Sequence, residues 1–305
     1  MTHPDRPVSI HAVARDYPNG ALVGDHCHID GQLIHATAGV MEIRAARRMW
    51  LIPPQRALWI PPRMPHGLRA RGAVSLRTLY IAQDDACDVS DAPRGFVVPP
   101  LLRQLILQAL EPCIRSDLQR RRHLNAVLMD ELRALAPDAL SLAMPSDPRL
   151  ARACADILAK PDGEHRIGRL AHESGASVRT LTRLAQDELG CPLSTWRQQA
   201  RILSSIPMLI AGKQVTFVAH SMGYETPGAY SAMFKRIMGV QPHLYRQSPD
   251  PNDLPRAEDD AEAAPQHPSV LPSNIKCDRP VTGRCFAEKP RQSPGASVRA
   301  RAGSR

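Results

Sequence analysis

The sequence predicts an α+β protein of several domains: a small β-barrel or sandwich at the N-terminus, an all-α domain with two helix-turn-helix motifs, and a disordered C-terminal tail. The segment 1–82 contains short apolar stretches separated by prolines and glycines, which is typical of a small all-β unit. A helical pattern occurs twice between positions 167 and 242, and each residue of the second copy follows its counterpart at one fixed offset. From position 248 onward, nine prolines, mixed charges and small residues replace any periodicity.

Composition indicates the compartment and the kind of partner. A chain of 305 residues with 43% hydrophobic content can form two ordinary domains. Residues 146–247 carry 13 basic and 8 acidic side chains, which suits a polyanionic partner. The seven cysteines are scattered without a Cys-x-x-Cys pair, and no apolar run approaches the roughly 18 residues of a membrane span. We therefore expect a cytoplasmic protein with no membrane segment.

Residues 8–85 form the predicted β domain. Apolar segments bounded by turn residues predict strands at 33–36, 40–43, 49–52, 57–60 and 74–81. A turn is expected at Ala38–Gly39, and Gly72 is expected to separate strands. Short strands at such regular spacing close into a small barrel or a sandwich.

A histidine-rich motif runs through this β domain. It comprises Gly20, His26, His28, Gln32 and Gly39, followed by Pro61 and His66. The spacing resembles the motif of the cupin barrel and implies a cupin-like β-barrel here. Because alternate residues of a strand share one face, we expect His26 and His28 to point into the barrel, where Gln32 and His66 join them.

Two interpretations of these polar side chains remain open. Three imidazoles and one amide suit a first-row divalent ion, with His26, His28 and His66 as the candidate ligands. Alternatively, the side chains line a pocket for a small-molecule effector without any metal. A metal-dependent oxygenase would have a carboxylate in place of Gln32, and the second half of the motif is incomplete. We therefore predict an effector pocket and no obligatory cofactor.

Residues 97–143 change to a helical period. One apolar stripe contains Leu101, Leu102, Leu105 and Ile106, and a second contains Leu128, Leu132 and Leu135. Two amphipathic helices at this place favour a dimerisation hairpin slightly over helices that pack on the β domain.

Residues 147–247 contain the two helix-turn-helix motifs. In the first copy, Ser177 is the predicted N-cap of the second helix of the pair, which such motifs insert into the major groove of DNA. The candidate DNA-binding residues of this copy are Ser177, Arg179, Thr180, Thr182 and Arg183. Arg179 and Arg183 share one helix face and can contact guanine or phosphate. The alternative is that one of them only pairs with Asp187 or Glu188.

In the second copy, Thr226 is the predicted N-cap and Pro227 the first helical residue. The candidate DNA-binding residues here are Thr226, Pro227, Ser231, Lys235 and Arg236. The fixed offset makes Ala229 and Ala232 the counterparts of Leu181 and Leu184, so both are expected to pack this helix onto its partner. Tyr230 and Phe234 are expected to lie in the core.

Residues 149–247 resemble the AraC/XylS family of bacterial transcription regulators. The residues that carry the resemblance are Leu170-Ala171, Ser177-x-Arg179-x-Leu181-x-Arg183, Gly190-x-Pro192, Arg201, Ala219, Met222-Gly223-Tyr224, Phe234-Lys235-Arg236, Gly239-x-x-Pro242 and Tyr245-Arg246. The segment 1–82 resembles the cupin-type sensor domain of the same family. There the pattern His-x-His-x-x-x-Gln-Leu, then Trp-Ile-Pro-Pro, then Pro-His resembles the drug-responsive or metabolite-responsive members of the family. That resemblance implies an effector pocket of His26, His28, Gln32, Trp59 and His66. Pro207 departs from the family pattern, and we expect it to interrupt the helix between the two motifs.

The resemblance implies a ligand-responsive, sequence-specific transcription regulator and not an enzyme. Its implied partners are double-stranded DNA, a small-molecule effector, RNA polymerase and a second copy of the chain as a homodimer. The alternative is a metal-dependent cupin enzyme with an accessory helical domain. A third interpretation is a regulator that acts constitutively. The tail, residues 248–305, is expected to be disordered, because it cannot bury enough apolar area to offset its ordering entropy.

Overall fold

The computed structural model describes residues 8–137 and 140–245. The predictions for the tail, residues 248–305, and for Arg246 fall outside the described residues. Within the described ranges, none of the helices is long and apolar enough to span a membrane. The described chain folds into an antiparallel β domain, a helical layer on that domain, and a second, all-α domain.

Two long strands organise the β domain. Its strands are β1 (Ile10–Tyr17), β2 (Leu22–His26), β3 (Gly31–Ala45), β4 (Arg48–Ile52), β5 (Arg56–Ile60), β6 (His66–Ile81), β7 (Arg94–Val97) and β8 (Ser141–Ala143). One half of the barrel has the strand order β1-β6-β3-β5-β7, and the other has β2-β6-β3-β4-β8. Strands β3 and β6 therefore belong to both halves. Strands β7 and β8 also extend the sheet beyond position 85.

The expected turn at Ala38–Gly39 is wrong, because β3 continues through both residues. The pairing of β3 with β6 shifts register around Ala38, and Gly39 adopts a left-handed backbone with φ of +71°. A β-bulge of this kind bends a strand without ending it. Gly72, with φ of +88°, likewise lies inside β6 and does not separate two strands. These bends let one pair of strands serve two sheets.

Three apolar cores follow from this arrangement. The space between the two halves is filled by side chains such as Ile34, Ile43 and Leu58. On the outer face of the first half, Leu33 and Trp59 pack against the helical layer. On the outer face of the second half, apolar side chains of β3, β4 and β8 join the core of the all-α domain. Both faces of the sheet are therefore covered.

The helices of the described chain are as follows. They are α1 (Gln83–Ala86), α2 (Pro100–Gln108), α3 (Pro112–Ser116), α4 (Leu118–Ala134), α5 (Pro148–Ala159), α6 (Ile167–Glu173), α7 (Val178–Leu184), α8 (Leu193–Ile210), α9 (Val215–Ser221) and α10 (Pro227–Met238). A π-helical turn, Ala185–Leu189, continues α7, and a 3-10 turn, Pro242–Tyr245, follows α10.

Helices α2 and α4 form the helical layer on the sheet. Leu102 and Ile106 of α2 and Leu128 and Leu132 of α4 are buried in the core that they share with the first half of the barrel. Leu101, predicted to belong to the same stripe, faces solvent. The inner faces of this segment are therefore used for packing within the chain.

The two helix-turn-helix motifs do not keep a constant offset. Ala171 and Ala219 are as far apart in sequence as Gly175 and Gly223, so the first helices and the turn glycines of the two motifs keep one spacing. The caps do not, because Thr226 lies one position further from Ser177 than that spacing would place it. The extra residue in the second turn rotates α10, so that Tyr230 and Phe234 are buried, which confirms their predicted place in the core. The expectation that Ala229 and Ala232 pack against α9 is wrong, since both are exposed.

The expected interruption at Pro207 is also wrong. Helix α8 runs without a break from Leu193 to Ile210 and includes Pro207. Proline lacks the N–H that would bond to the carbonyl of Leu203, yet the surrounding core compensates. Ile206 and Leu209, on either side of the proline, are completely buried. Burial of this face holds the helix together past the missing hydrogen bond.

Candidate functional site

Helix α7 presents a polar face to solvent from a well-defined start. Ser177 accepts a hydrogen bond from the backbone N–H of Thr180 at 3.1 Å and so caps the helix. Leu181 and Leu184 turn inward, which leaves Arg179, Thr182 and Arg183 exposed. Thr180 is half-buried. The capped start and the buried stripe fix which side chains project.

The two arginines of α7 are in different states. The guanidinium of Arg183 donates to the Asp187 carboxylate at 2.8 Å, as the salt-bridge alternative anticipated for one of them. Arg179 makes no hydrogen bond or ion pair with any part of the described chain. An exposed ion pair of this kind contributes less than about 1 kcal/mol, so Arg183 can exchange Asp187 for another anion.

Helix α10 presents a different face. Thr226 caps it by accepting from the backbone N–H of Ala229 at 3.2 Å, and Pro227 is its first residue. When the two helices are aligned on their caps, the positions equivalent to Arg179 and Arg183 are Gly228 and Ala232. The equivalent face is thus lined by small side chains. This face is defined by Gly228, Ala229, Ser231, Ala232 and Lys235. The sequence-based assignment had placed two of these residues, Ala229 and Ala232, in the core instead.

Arg236, also predicted to bind DNA, lies beside that face. Its guanidinium donates to the side-chain oxygen of Gln198 on α8 at 3.0 Å and contacts the Met233 sulfur. When the two helices are aligned on their caps, Arg236 is equivalent to Asp187 of the first motif. Arg236 is therefore tied to α8, while Lys235 extends into solvent.

The second motif is held by a chain of aromatic rings. Tyr224, Tyr230, Phe234 and Tyr245 contact one another in sequence, with ring centroids 5.4–5.7 Å apart. The buried hydroxyl of Tyr230 is within 2.7 Å of the Ser205 hydroxyl on α8. Edge-to-face ring pairs stabilise such packing beyond their burial. Helix α10 is therefore fixed on α8 at its inner face.

In the β domain, the three predicted pocket histidines meet at one end of the barrel. His26 on β2 lies opposite His66 on β6, and His28 follows β2. The ring centroids are 4.4 Å apart for His26 and His66, 4.8 Å for His26 and His28, and 5.4 Å for His28 and His66. His66 is buried, whereas the other two are half-buried at the rim. We call these three residues the histidine cluster.

Gln32 connects the histidine cluster to the barrel interior. Its side-chain oxygen is 3.1 Å from Nε2 of His66, and its side-chain nitrogen donates to the hydroxyl oxygens of Thr78 and Tyr80. Sequence reasoning did not single out Thr78 and Tyr80. Thr78 and Tyr80 alternate with apolar Leu79 near the end of β6, and the pairing of β6 with β3 places Tyr80 opposite Gln32.

Burial favours neutral imidazoles in the histidine cluster. It lowers the pKa of His66 to about 4. The hydrogen bond to the Met64 carbonyl raises this pKa, but its effect is smaller. Burial also lowers the pKa of His28, and the neighbouring His26 adds to this effect. Neutral imidazole offers a lone pair as well as an N–H. The histidine cluster can therefore accept hydrogen bonds from a ligand or bind a cation.

Trp59 does not belong to this pocket, so its predicted place there is wrong. Its side chain is completely buried on the opposite face of the sheet, in the core shared with the helical layer. The indole N–H donates to the carbonyl of Ser90 at 2.9 Å, and a side chain at Gly31 would overlap the ring. Trp59 is a packing residue.

A fourth histidine is buried on the same face of the sheet as Trp59. His35 on β3 is completely enclosed, with Nδ1 3.0 Å from the carbonyl of Arg56 and Nε2 unbonded among the described residues. Burial lowers its pKa from the usual 6.5 to about 4. Since the unfolded chain gains a proton at His35 below about pH 6.5 and the folded chain does not, acid favours unfolding.

We expect the free energy of unfolding to fall as the pH drops from about 6.5 to 4. The His35 pKa shift from 6.5 to about 4 corresponds to about 3 kcal/mol at about 1.4 kcal/mol per pH unit. The variant His35→Gln keeps an N–H donor for the carbonyl of Arg56 but does not titrate. Urea unfolding at pH 7 and pH 5 should show a smaller loss for this variant than for the wild type. Equal losses in the two proteins would contradict the prediction, and His123→Gln, at an exposed site on α4, is the control.

The β domain contacts the all-α domain at the tip of its β3–β4 hairpin. Ala46 and Arg47 occupy this turn with φ of 49° and 57°, a conformation that L-residues rarely adopt. The Arg47 guanidinium donates to the Glu188 carboxylate and to the Ser146 hydroxyl. Glu188 lies just after α7 and also accepts from the backbone N–H groups of Ser146 and Asp147. The hydrogen bond from Ser146 is the main reason that the Glu188 pKa is lowered. No sequence signal pointed to Arg47.

Two domain families match this chain. An AraC-like ligand-binding domain matches residues 7–193, and a helix-turn-helix domain matches residues 170–248. The HTH-type transcriptional regulator NimR of Escherichia coli (strain K12) is 32% identical over 225 residues, which cover 72% of this chain and 81% of NimR. An AraC-like transcription regulator of Streptomyces antibioticus is 30% identical over 139 residues, which cover 42% of this chain and 45% of the relative. The crystal structure of ToxT from Vibrio cholerae O395 is 11% identical with a TM-score of 0.35, and covers 79% of this chain and 98% of ToxT.

A sensor-type β domain joined to two exposed, capped recognition helices defines a ligand-responsive DNA-binding transcription regulator. The chain belongs to the AraC family of such regulators. Its partners are therefore DNA and a small-molecule effector. Since the members of this family are transcription regulators and not enzymes, the alternative of a metal-dependent cupin enzyme is set aside.

Proposed function

We propose that this protein binds specific promoter sequences through α7 and α10 and that a small molecule bound at the histidine cluster controls this binding. The observation that carries the proposal is the pair of recognition helices, each started by a side-chain cap and each with one buried and one exposed face. Two such helices in one chain can enter successive major grooves, about 34 Å apart.

The two helices have unequal roles in this proposal. Arg179 is exposed and unpaired in the described chain, and Arg183 is held only by an exposed ion pair, so α7 supplies most contacts to base edges. The face of α10 consists of small side chains with Lys235 near its C-terminal end. Small side chains let a helix backbone approach DNA closely, and a lysine suits phosphates. Helix α10 therefore contributes mainly backbone anchoring.

Strand β3 links the effector site to the DNA-binding domain. It carries Gln32, bonded to the histidine cluster, near its start, and the strained Ala46–Arg47 turn follows its end. Strained turns persist where surrounding contacts hold them. Because Arg47 binds Glu188 directly behind α7, a shift of β3 on effector binding would change the support of that recognition helix.

Three further elements belong to the proposal. The protein works in the cytoplasm, where its cysteines remain reduced, and it acts as a homodimer that contacts RNA polymerase at its promoters. The outer surface of α4, with exposed Leu118 and Val127, offers apolar area for the dimer. Dimeric regulators of this type bind paired half-sites, which fits two recognition helices per chain.

The test begins with genome-wide mapping of bound sites, which supplies an operator fragment. We expect Arg179→Ala to lower the affinity for this fragment by about 10–100-fold, since one bidentate base contact is worth about 1–3 kcal/mol. The contrasting variant Lys235→Ala should reduce the salt dependence of binding by about one phosphate contact and leave the sequence preference unchanged.

Arg169→Ala is the matched control, because Arg169 is an exposed arginine on the supporting helix α6. It should retain the sequence preference of the wild type. If Arg179→Ala binds the operator as tightly as Arg169→Ala at moderate salt, α7 does not read bases and the proposed division of roles fails.

A further inference from the structure

The geometry of the histidine cluster points to a metal site. We propose that His26, His28 and His66 bind a divalent transition-metal ion of the cobalt-to-zinc part of the first row, with the side-chain oxygen of Gln32 as the fourth ligand. The candidate nitrogen atoms of the three histidines all lie within 4.8 Å of one another. This is the same histidine cluster at which the proposed function places the small-molecule effector, but metal binding there does not depend on the DNA-binding role of α7 and α10.

Backbone carbonyls orient two of the imidazoles. Nδ1 of His26 is 2.8 Å from the carbonyl of Gly24, and Nδ1 of His66 is 3.0 Å from the carbonyl of Met64. A carbonyl can only accept, so each Nδ1 donates its N–H there, which leaves Nε2 as the nitrogen available to a metal ion. Donation of the second ring N–H to a carbonyl is the arrangement that fixes metal-binding histidines in proteins.

The third imidazole, that of His28, has a ring nitrogen without a hydrogen-bond partner in the described part of the chain. Nε2 of His28 is buried and makes no hydrogen bond within the described residues. The His28 ring also packs edge-on against Tyr80, with centroids 5.2 Å apart, which limits its rotation. A buried ring nitrogen without a partner is unfavourable unless something binds to it. A cation bound between the three rings would satisfy it.

The side chain of Gln32 brings an oxygen into the same site. This oxygen is 3.1 Å from Nε2 of His66, and the amide nitrogen is held by the hydroxyl oxygens of Thr78 and Tyr80. The amide therefore points a possible metal ligand toward the nitrogen that His66 would use for coordination.

The same distance fits coordination. Ligand atoms bonded to one ion at about 2.1 Å lie about 3.0–3.4 Å apart in octahedral or tetrahedral geometry, and the 3.1 Å separation falls in that range. The candidate nitrogens of His26 and His28 already lie within 4.8 Å of that of His66, so small shifts of these two rim residues complete the set. The four candidate ligand atoms therefore lie near the positions that coordination of one ion requires.

The donor set selects the ion. Three imidazoles and one amide carry no negative charge, and Mg²⁺, Ca²⁺ and Mn²⁺ prefer carboxylates and water. Imidazole nitrogen suits the later first-row ions, among which affinity generally rises toward copper. We therefore expect Zn²⁺, Co²⁺ and Ni²⁺ to bind far more tightly than Mg²⁺ or Mn²⁺.

The test uses the full-length protein, stripped with a chelator and then dialysed with Zn²⁺ or Co²⁺. We expect elemental analysis to show stoichiometric retention by the wild type, and the Co²⁺ form to show visible ligand-field absorption. Each of His26→Ala, His28→Gln and His66→Gln should lower the affinity by more than the roughly 10–100-fold typical of losing an outer-shell partner. The exposed-histidine control His123→Ala should bind as the wild type does.

Two outcomes would overturn the proposal. One is a wild type that retains no more metal than the His26→Ala/His66→Gln double variant, which would indicate adventitious surface binding only. The other is equal retention of Mg²⁺ and Zn²⁺, which would exclude an imidazole site. Far-UV circular dichroism and urea unfolding of the same variants show whether they are folded, so a loss of metal binding cannot be mistaken for unfolding. Failure of DNA binding in the metal-free wild type would bear on the proposed function and not on this site.

Discussion

Replacing Gly39 by alanine is expected to lower the free energy of unfolding by about 2–5 kcal/mol and to disturb the whole β domain. Gly39 has φ of +71°, and a Cβ atom there would overlap the carbonyl oxygen of Ala73 and come within 2.9 Å of Val74. Those atoms belong to β6, the partner of β3 along most of its length. The chain can relieve the overlap only by separating its two longest strands.

Gly72→Ala is the matched control for this prediction. Gly72 also has a left-handed backbone, with φ of +88°, but a Cβ atom there meets nothing within 4 Å. This variant should lose only the cost of placing an L-residue in that conformation, about 1–2 kcal/mol. Urea unfolding followed by circular dichroism measures both. If the two variants lose equal stability, close packing at the bend of β3 is not what stabilises the barrel.

The bend at Gly39 also shows why the strands were only partly predicted. The apolar segments at 33–36 and 40–43 were recognised, and the glycine between them suggested a turn. A left-handed glycine is common to turns and bulges, so its presence alone does not distinguish them. Only the pairing with β6 decides, and that pairing joins residues as distant along the chain as Ala38 and Ser75.

The misplacement of Trp59 has a different physical cause. Periodicity reveals the inward face of a strand only when the other face is solvated. Here β5 is buried on both faces, by the barrel interior and by the helical layer, so four of its five residues are buried. Without alternation, the side of Trp59 could not be read from the sequence. His26 and His28 on the exposed rim retained their alternation and were placed together with His66.

In the all-α domain, local sequence signals were sufficient to predict the helices and their caps. They were not sufficient to predict which face of each helix packs against the core. The caps Ser177 and Thr226 and the core residues Tyr230 and Phe234 were predicted from local chemistry alone. A repeat of fixed offset then misaligned the second helix by one position, which is about 100° of helix rotation. The extra residue between Gly223 and Thr226 therefore changes which side chains face DNA: small ones in α10, arginines in α7.

Replacing Trp196 by alanine is expected to lower the free energy of unfolding by about 3–5 kcal/mol and to weaken operator binding. Trp196 lies on α8, is completely buried, and donates its indole N–H to the carbonyl of Ala143 at 2.7 Å. Ala143 ends β8, the edge strand of the β domain. The indole thus packs at the junction where the sheet, the first motif and the helix between the motifs meet.

Two companion variants separate the contributions at this junction. Trp196→Phe keeps most of the apolar area and loses the hydrogen bond, so it should cost about 1–2 kcal/mol. Thr195→Ala changes an exposed neighbour on the same helix and should have almost no effect. Because α8 supports both recognition helices, the loss of operator affinity should follow the loss of stability across the three variants. A Trp196→Ala protein that unfolds at the wild-type urea concentration would show that the β domain and the all-α domain do not depend on this contact, and the proposed route from effector site to DNA would then rest on Arg47 and Glu188 alone.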